Sequence, residues 1–135
     1  MKMGSKFILL EESMQLSVTS KEKSPGVQIL SLIGSLNTNT FPLLEKEIKI
    51  VLEKSPDVLI FDLEQLEYLS SAGIRVILKA NKAMKQKNGK TMFTNMQPQI
   101  KKVFEIINAL PHQQIFSSIE EMDSYLDTMQ KRALE

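Results

Sequence analysis

The run Val58-Leu59-Ile60-Phe61-Asp62-Leu63, a short polar stretch, and then Tyr68-Leu69-Ser70-Ser71-Ala72-Gly73-Ile74-Arg75 together decide the fold. The first run has the length and residue types of a buried strand. After the two serines the pattern takes a helical period. Ile74, Ile77, Leu78 and Met84 follow at spacings of three, one and six and share a face, and Asn88-Gly89 supplies a stop signal. The serines therefore fall where a strand hands over to a helix, with their hydroxyls near the first unpaired N–H groups. Such a corner is suited to holding an anion.

On the N-terminal side, Phe7 to Leu10 reads as a short leading strand, and Met14 to Thr19 alternates apolar and polar residues as a half-buried strand does. Lys21 to Gly26 is a polar turn closed by Pro25-Gly26, and Val27 to Ile33 forms the second arm of a hairpin. Gly34 to Thr40 is a loop of turn-forming and capping residues. A helix starts near Asn39 or Thr40, with Pro42 in its first turn. Its apolar face is Phe41, Leu44, Ile48, Val51 and Leu52, and Ser55-Pro56 ends it.

On the C-terminal side, Lys90 to Thr94 is a strand, and Asn95 to Pro98 opens a helix with Ile100, Val103, Phe104 and Ile107 on one face, stopped at Leu110-Pro111. Ile115-Phe116 is an extended link or a minimal edge strand. Ser118-Ile119-Glu120-Glu121 is a capping box, and Ile119, Met122, Leu126, Met129 and Ala133 line the last helix. The order β-β-α-β-α-β-α-(β)-α predicts an α/β single domain over 1–135 with its core at about 14–129. A mixed β-sheet packs with about four α-helices, its parallel crossovers right-handed. Residues 1–6, with Gly4-Ser5 of the kind a cloning scar leaves, are expected to add nothing to it.

Composition narrows function mainly by exclusion. The 135 residues include no cysteine and one histidine, His112. Thiolate catalysis, disulfides and a histidine-rich metal centre are therefore excluded, and no metal or cofactor is expected. No apolar stretch approaches the ~20 residues of a membrane helix, and Phe7 to Leu10 is too short for a secretory signal. A cytoplasmic protein without membrane insertion is expected.

The net charge of +1 is unevenly placed. Residues 57–70 carry four acids and no base, whereas Ser71 to Lys102 holds eight basic residues and no acid. Arg75, Lys79, Lys82 and Lys85 form one stripe along the helix that starts at the serines. The stripe is either a solvated face or a surface for an acidic protein partner. No aromatic residue is interleaved with it, so direct nucleic-acid binding is not expected.

Two enzymatic readings of the corner fail on residue type. A nucleophile elbow at Ser71 needs a glycine where Leu69 stands, and no histidine and acid are placed to activate Ser70 or Ser71. A phosphoaccepting aspartate at Asp62 would need further carboxylates for Mg²⁺, and neither preceding strand ends in an acidic pair. Asp62 is then a strand-end residue accepting backbone hydrogen bonds. Glycine spacing forms no nucleotide fingerprint.

The element order, the loop Gly34-Ser35-Leu36-Asn37, the motif Tyr68-Leu69-Ser70-Ser71-Ala72-Gly73-Ile74 and the ending Ile115-Phe116-x-Ser118-x-Glu120-Glu121 resemble the STAS domain of bacterial anti-sigma factor antagonists. The resemblance covers about Met14 to Met129. It implies a binding switch and not an enzyme. Such proteins dock onto an anti-sigma factor that is also a serine kinase, release the sigma factor, are switched off when the kinase phosphorylates the motif serine, and are reset by a serine phosphatase.

By position the acceptor is Ser71, with Ser70 as the second candidate, and the docking surface comprises Asn37, Thr38, Asn39, Thr40, Ser70, Ser71, Ala72, Gly73, Arg75 and Lys79. A second role open to such domains is that of an unphosphorylated adaptor subunit in a transporter or signalling complex. The chain departs from the usual pattern twice. Ser70 and Asn37 stand where many members carry aspartate, which removes negative charge from the expected docking face.

Overall fold

The computed structural model describes residues 15–109 and 118–135. The strands β1 (Leu16–Ser24), β2 (Val27–Leu36), β3 (Val58–Leu69) and β4 (Lys90–Thr94) lie in one sheet in the order β1-β2-β3-β4. β1 and β2 are antiparallel, and β2, β3 and β4 are mutually parallel. The helices are α1 (Phe41–Glu53), α2 (Ser71–Gln86), α3 (Pro98–Ala109) and α4 (Ile119–Ala133). The expected mixed sheet with four helices is what forms. The expected strands at Phe7 to Leu10 and Ile115-Phe116, and the helix stop at Leu110-Pro111, lie outside the described residues.

The buried hydrophobic cluster lies on one face of the sheet. Leu30 and Leu32 of β2 and Leu59, Phe61 and Leu63 of β3 alternate onto it, and all are buried. They meet Leu44, Ile48 and Val51 of α1 and Ile74, Ile77, Ala80 and Met84 of α2. On the other face Ile33 and Met92 are 39% and 47% exposed. Phe61 stacks on its cross-strand partner Phe93 with ring centroids 5.4 Å apart, and Phe93 meets Phe104 of α3 at 5.1 Å.

Several boundaries differ from expectation. β1 continues through the supposed turn to Ser24, so that only Pro25-Gly26 turns the chain, with Gly26 at φ 80°. β2 runs on to Leu36. Leu78, expected on the apolar face of α2, is 43% exposed, because Val76 and Ala80 complete that face instead. The polar stretch after Leu63 is not a connection at all, since β3 continues through it to Leu69.

Two register shifts against β2 account for this last difference. Ser31 and Ile33 face Asp62 and Gln65, and Gly34 and Ser35 face Leu66 and Tyr68, so β3 carries an extra residue at each place. Each bulge resets the alternation, and the buried residues Leu63, Leu66 and Leu69 recur every third position. That period is neither a strand's nor a helix's. Asp62 is accordingly a mid-strand residue beside the first bulge, where its Oδ1 accepts from the Glu64 N–H at 3.2 Å.

β3 also outruns its neighbour. The pairing with β4 ends at Asp62 and Thr94, which leaves one edge of β3 without a strand from Leu63 onward. Side-chain amides take the place of that strand. Gln97 Nε2 donates to the Glu64 carbonyl at 2.7 Å and Gln99 Nε2 to the Glu67 carbonyl at 3.0 Å. At the end of the strand Gln130 of α4 completes the series. Its Oε1 accepts from the Leu69 N–H at 3.0 Å and its Nε2 donates to the Leu69 carbonyl at 2.8 Å, as a facing strand would.

Replacing Gln130 by leucine leaves both backbone groups of Leu69 buried and unpaired, which predicts a loss of about 2–4 kcal/mol in urea unfolding. A loss below about 0.5 kcal/mol, the size of an ordinary surface substitution, would show that this clamp is not needed.

Candidate functional site

β2 and β3 are parallel neighbours, so the loops leaving their carboxyl ends meet at one edge of the sheet, where open α/β folds place their sites. Leu36 and Leu69 are register partners, and the Ser70 N–H donates to the Leu36 carbonyl at 2.9 Å. The Asn37–Thr40 loop and the Ser70-Ser71 corner are thereby held side by side.

The first loop is folded on itself. Asn37 Oδ1 accepts from the N–H groups of Asn39 and Thr40 at 2.9 and 3.1 Å, an Asx turn. The Thr40 hydroxyl donates to the Ser35 carbonyl at 2.7 Å and accepts from the Asn37 N–H at 2.8 Å. Thr38 and Asn39 are exposed, Asn37 is half-buried and Thr40 is buried.

The second corner is built on Ser70 as the N-cap of α2. Its extended backbone (φ −92°, ψ 173°) precedes the helix, and its Oγ accepts from the Gly73 N–H at 3.4 Å. Gly73 is set by packing. A β-carbon there would lie 2.5 Å from Leu36 Cγ and 2.9 Å from Leu69 Cδ1, the two side chains that close the core beneath the corner.

An anion does sit at the start of α2, and the chain supplies it. The Ser71 N–H donates to Asp123 Oδ1 of α4 at 2.9 Å. A carboxylate at a helix N-terminus gains both a charge-assisted hydrogen bond and the helix dipole. The negative charge missing at Ser70 thus reaches the same turn from a residue that is distant in sequence.

Asp123, Leu126, Asp127 and Gln130 occupy one side of α4 and face the corner. Leu126 is buried, Gln130 clamps Leu69, and Asp127 accepts a hydrogen bond from the Tyr68 phenol. Burial first, then the charges of Asp127 and Asp123, hold the Tyr68 pKa above the ordinary 10.0. Sequence reasoning passed over these polar residues because it followed only the apolar spacing of the helix. The available signal was polar residues flanking Leu126 on the side turned inward.

Ser71 is 4% exposed, and its Oγ is buried with no hydrogen-bond partner. Beside it opens a pocket of about 300 Å³ whose lining includes Thr38, Phe41, Glu45, Ser71, Arg75, Lys79 and Asp123, with Ala72 half-buried at its wall. The expected surface residues therefore divide. Thr38, Ser71, Ala72, Arg75 and Lys79 gather at the pocket, and Asn39 is exposed on the neighbouring loop. Asn37, Thr40, Ser70 and Gly73 shape the two loops from within.

Residues 19–122 match the STAS domain family. The chain belongs to that family. A relative from Bordetella bronchiseptica named as the anti-sigma factor antagonist BtrV is 34% identical over 85 residues, 63% of this chain and 73% of the relative. The anti-sigma-B factor antagonist of Listeria monocytogenes is 24% identical over 93 residues, 69% of this chain and 82% of its own. The fold matches the solved anti-sigma factor antagonist SpoIIAA in its unphosphorylated form with a TM-score of 0.62 at 18% identity, covering 81% of this chain and 96% of that one. SpoIIAA in its phosphorylated form matches with a TM-score of 0.59 at 18% identity, covering 81% and 99%. Among the described residues of this STAS domain, no helix is long and apolar enough to cross a membrane.

Two outcomes are expected here. Gly73→Ala forces Leu36 and Leu69 apart and costs about 1–3 kcal/mol in chemical denaturation, the usual penalty of overpacking. Tyr68 stays neutral in the folded state above its unfolded pKa. The stability this contributes is complete below about pH 10 and is lost as pH rises through the raised folded value. In a Tyr125→Phe background, which leaves one tyrosine signal, Asp127→Asn should lower the phenolate titration midpoint of Tyr68 without returning it fully to 10.0, because burial remains.

Proposed function

We propose that this STAS domain is a cytoplasmic anti-sigma factor antagonist that docks through the Ser71 edge of the sheet onto an anti-sigma factor serine kinase and frees a sigma factor. Phosphorylation of Ser71 ends the interaction, and a serine phosphatase restores it. The observation that carries this reading is the placement of Ser71. The serine opens α2 beside a pocket bordered by Arg75 and Lys79, in a chain whose relatives are named for anti-sigma antagonism.

In the kinase step the γ-phosphoryl group passes from ATP to Ser71 Oγ. The P–O bond to ADP breaks, and the hydroxyl proton leaves to a base on the kinase. The product adds about −1.5 to −2 charges at the start of α2, where the dipole and the Arg75 guanidinium favour them. Bulk and charge then spoil a surface fitted to its partner, with no need to unfold the domain. Because Ser71 Oγ is buried, the corner must open for the transfer, and docking on the kinase is the natural moment for that. Ser70 fits the acceptor role less well, since its Oγ already caps Gly73.

Incubation with the cognate kinase and ATP, followed by mass spectrometry, should place phosphate on Ser71 and none on Ser70. Ser71→Asp should weaken kinase binding by about 100-fold or more relative to Ser71→Ala, the scale of one like-charge clash in an interface. Equal binding by the two variants would exclude a phosphorylation switch and favour the unphosphorylated adaptor role.

A further inference from the structure

We propose that Asp123 makes α4 a latch on the phosphoacceptor corner, and that a phosphate on Ser71 expels Asp123 and undocks the N-terminal half of α4. The proposal rests on the reading of Ser71 as a phosphoacceptor and assigns the conformational consequence of modifying it. Three observations carry it. First, the Asp123 carboxylate holds the N–H of the very residue that would be modified, at 2.9 Å. Second, Ser71 and Asp123 border the same pocket of about 300 Å³, which has room for a phosphoryl group. Third, α4 is fastened to this region by polar contacts at three points along its length, Asp123 to Ser71, Asp127 to Tyr68 and Gln130 to Leu69, and of these only Asp123 holds the start of α2.

Two anions cannot share one helix start. Bonded to Oγ, a phosphate lies within a few ångströms of the Ser71 N–H and can accept from it, so it takes the donor that Asp123 now uses and repels the carboxylate at close range. Arg75 and Lys79, about one and two turns along α2 from Ser71, attract the phosphate and are exposed and able to turn toward it, whereas Glu45 of α1, the other acid lining the pocket, does not hold the Ser71 N–H. Expulsion therefore falls on Asp123. Gln130 makes uncharged hydrogen bonds and is unaffected by the new charge. The helix should loosen from its first turns while its C-terminal half stays clamped. Asp123 acts here as a positioning residue that touches Ser71 only through the backbone.

The test uses the full chain with phosphoserine installed at position 71 during translation, so that it runs whether or not any kinase modifies the site. Amide hydrogen exchange is compared between the Ser71 and phosphoserine forms in the wild-type and Asp123→Asn backgrounds. Asparagine can keep the hydrogen bond through Oδ1 while losing the charge. Phosphoserine should speed exchange in α4 around residues 122–127 by about tenfold or more in the wild type, with residues near Gln130 changing far less. In Asp123→Asn the added acceleration should be at most about threefold, a non-additivity that marks direct coupling. Unchanged exchange in the wild type overturns the proposal whatever the variant does, and so does equal acceleration in the two backgrounds. Failure of the kinase to modify Ser71 would defeat the proposed function and leave this result standing.

Discussion

Everything at the site depends on a strand that is longer than its neighbour. β3 must reach Leu69 to deliver Ser70 and Ser71 to the edge of the sheet, yet β4 gives it a partner only as far as Asp62. At its end the strand edge is buried, and leaving the Leu69 N–H and carbonyl unpaired would cost about 1–3 kcal/mol each. The solution is a row of glutamine amides, Gln97, Gln99 and Gln130, each offering the donor or acceptor that a fifth strand would have offered. Because the last of them sits on α4, completing β3 also fixes where the C-terminal helix lies. Asp123 is then carried to Ser71 along the same helix, seven residues and about two turns before Gln130.

This arrangement links α4 to the middle of the chain through polar contacts as well as through apolar area. Among the described side chains of α4, Leu126 is the one in the buried hydrophobic cluster, with Met122 partly buried against it. The helix packs against α3, and hydrogen bonds whose loss leaves buried partners unsatisfied join it to β3 and α2. Such contacts are all-or-none in geometry, and they yield a helix with one docked position that can still be released. An apolar helix face, by contrast, can slide and repack.

The sequence announced the elements and the corner more clearly than it announced their limits. Alternation and helical period located all four described strands and all four helices, and the Ser-Ala-Gly step marked the start of α2. Two bulges hid the second half of β3, because they place Leu63, Leu66 and Leu69 at a spacing that matches neither regular structure. Ser70 and Asn37 were legible as departures in charge, and both prove to work as local acceptors that shape their own turns. Asp123 was not legible in the same way. A residue that caps a helix 52 positions away along the chain leaves no local pattern, and only the docking of α4 brings it into range.

The placement of that acid bears on what kind of switch the corner can be. An aspartate at position 70 would be bound covalently to the turn it serves, so a phosphate on Ser71 would have to coexist with it or distort α2 itself. With serine at position 70 the cap is neutral and stays in place, and the charge sits on a separate element that can leave. The helix start therefore never needs to hold two anions, and α2, which packs against α1, β3 and β4, keeps its position in the core. The cost of accepting a phosphate is shifted to α4, where a change in docking alters the surface without disturbing the sheet. Moving the acid off the corner thus separates the stability of the phosphoacceptor helix from the response to its modification.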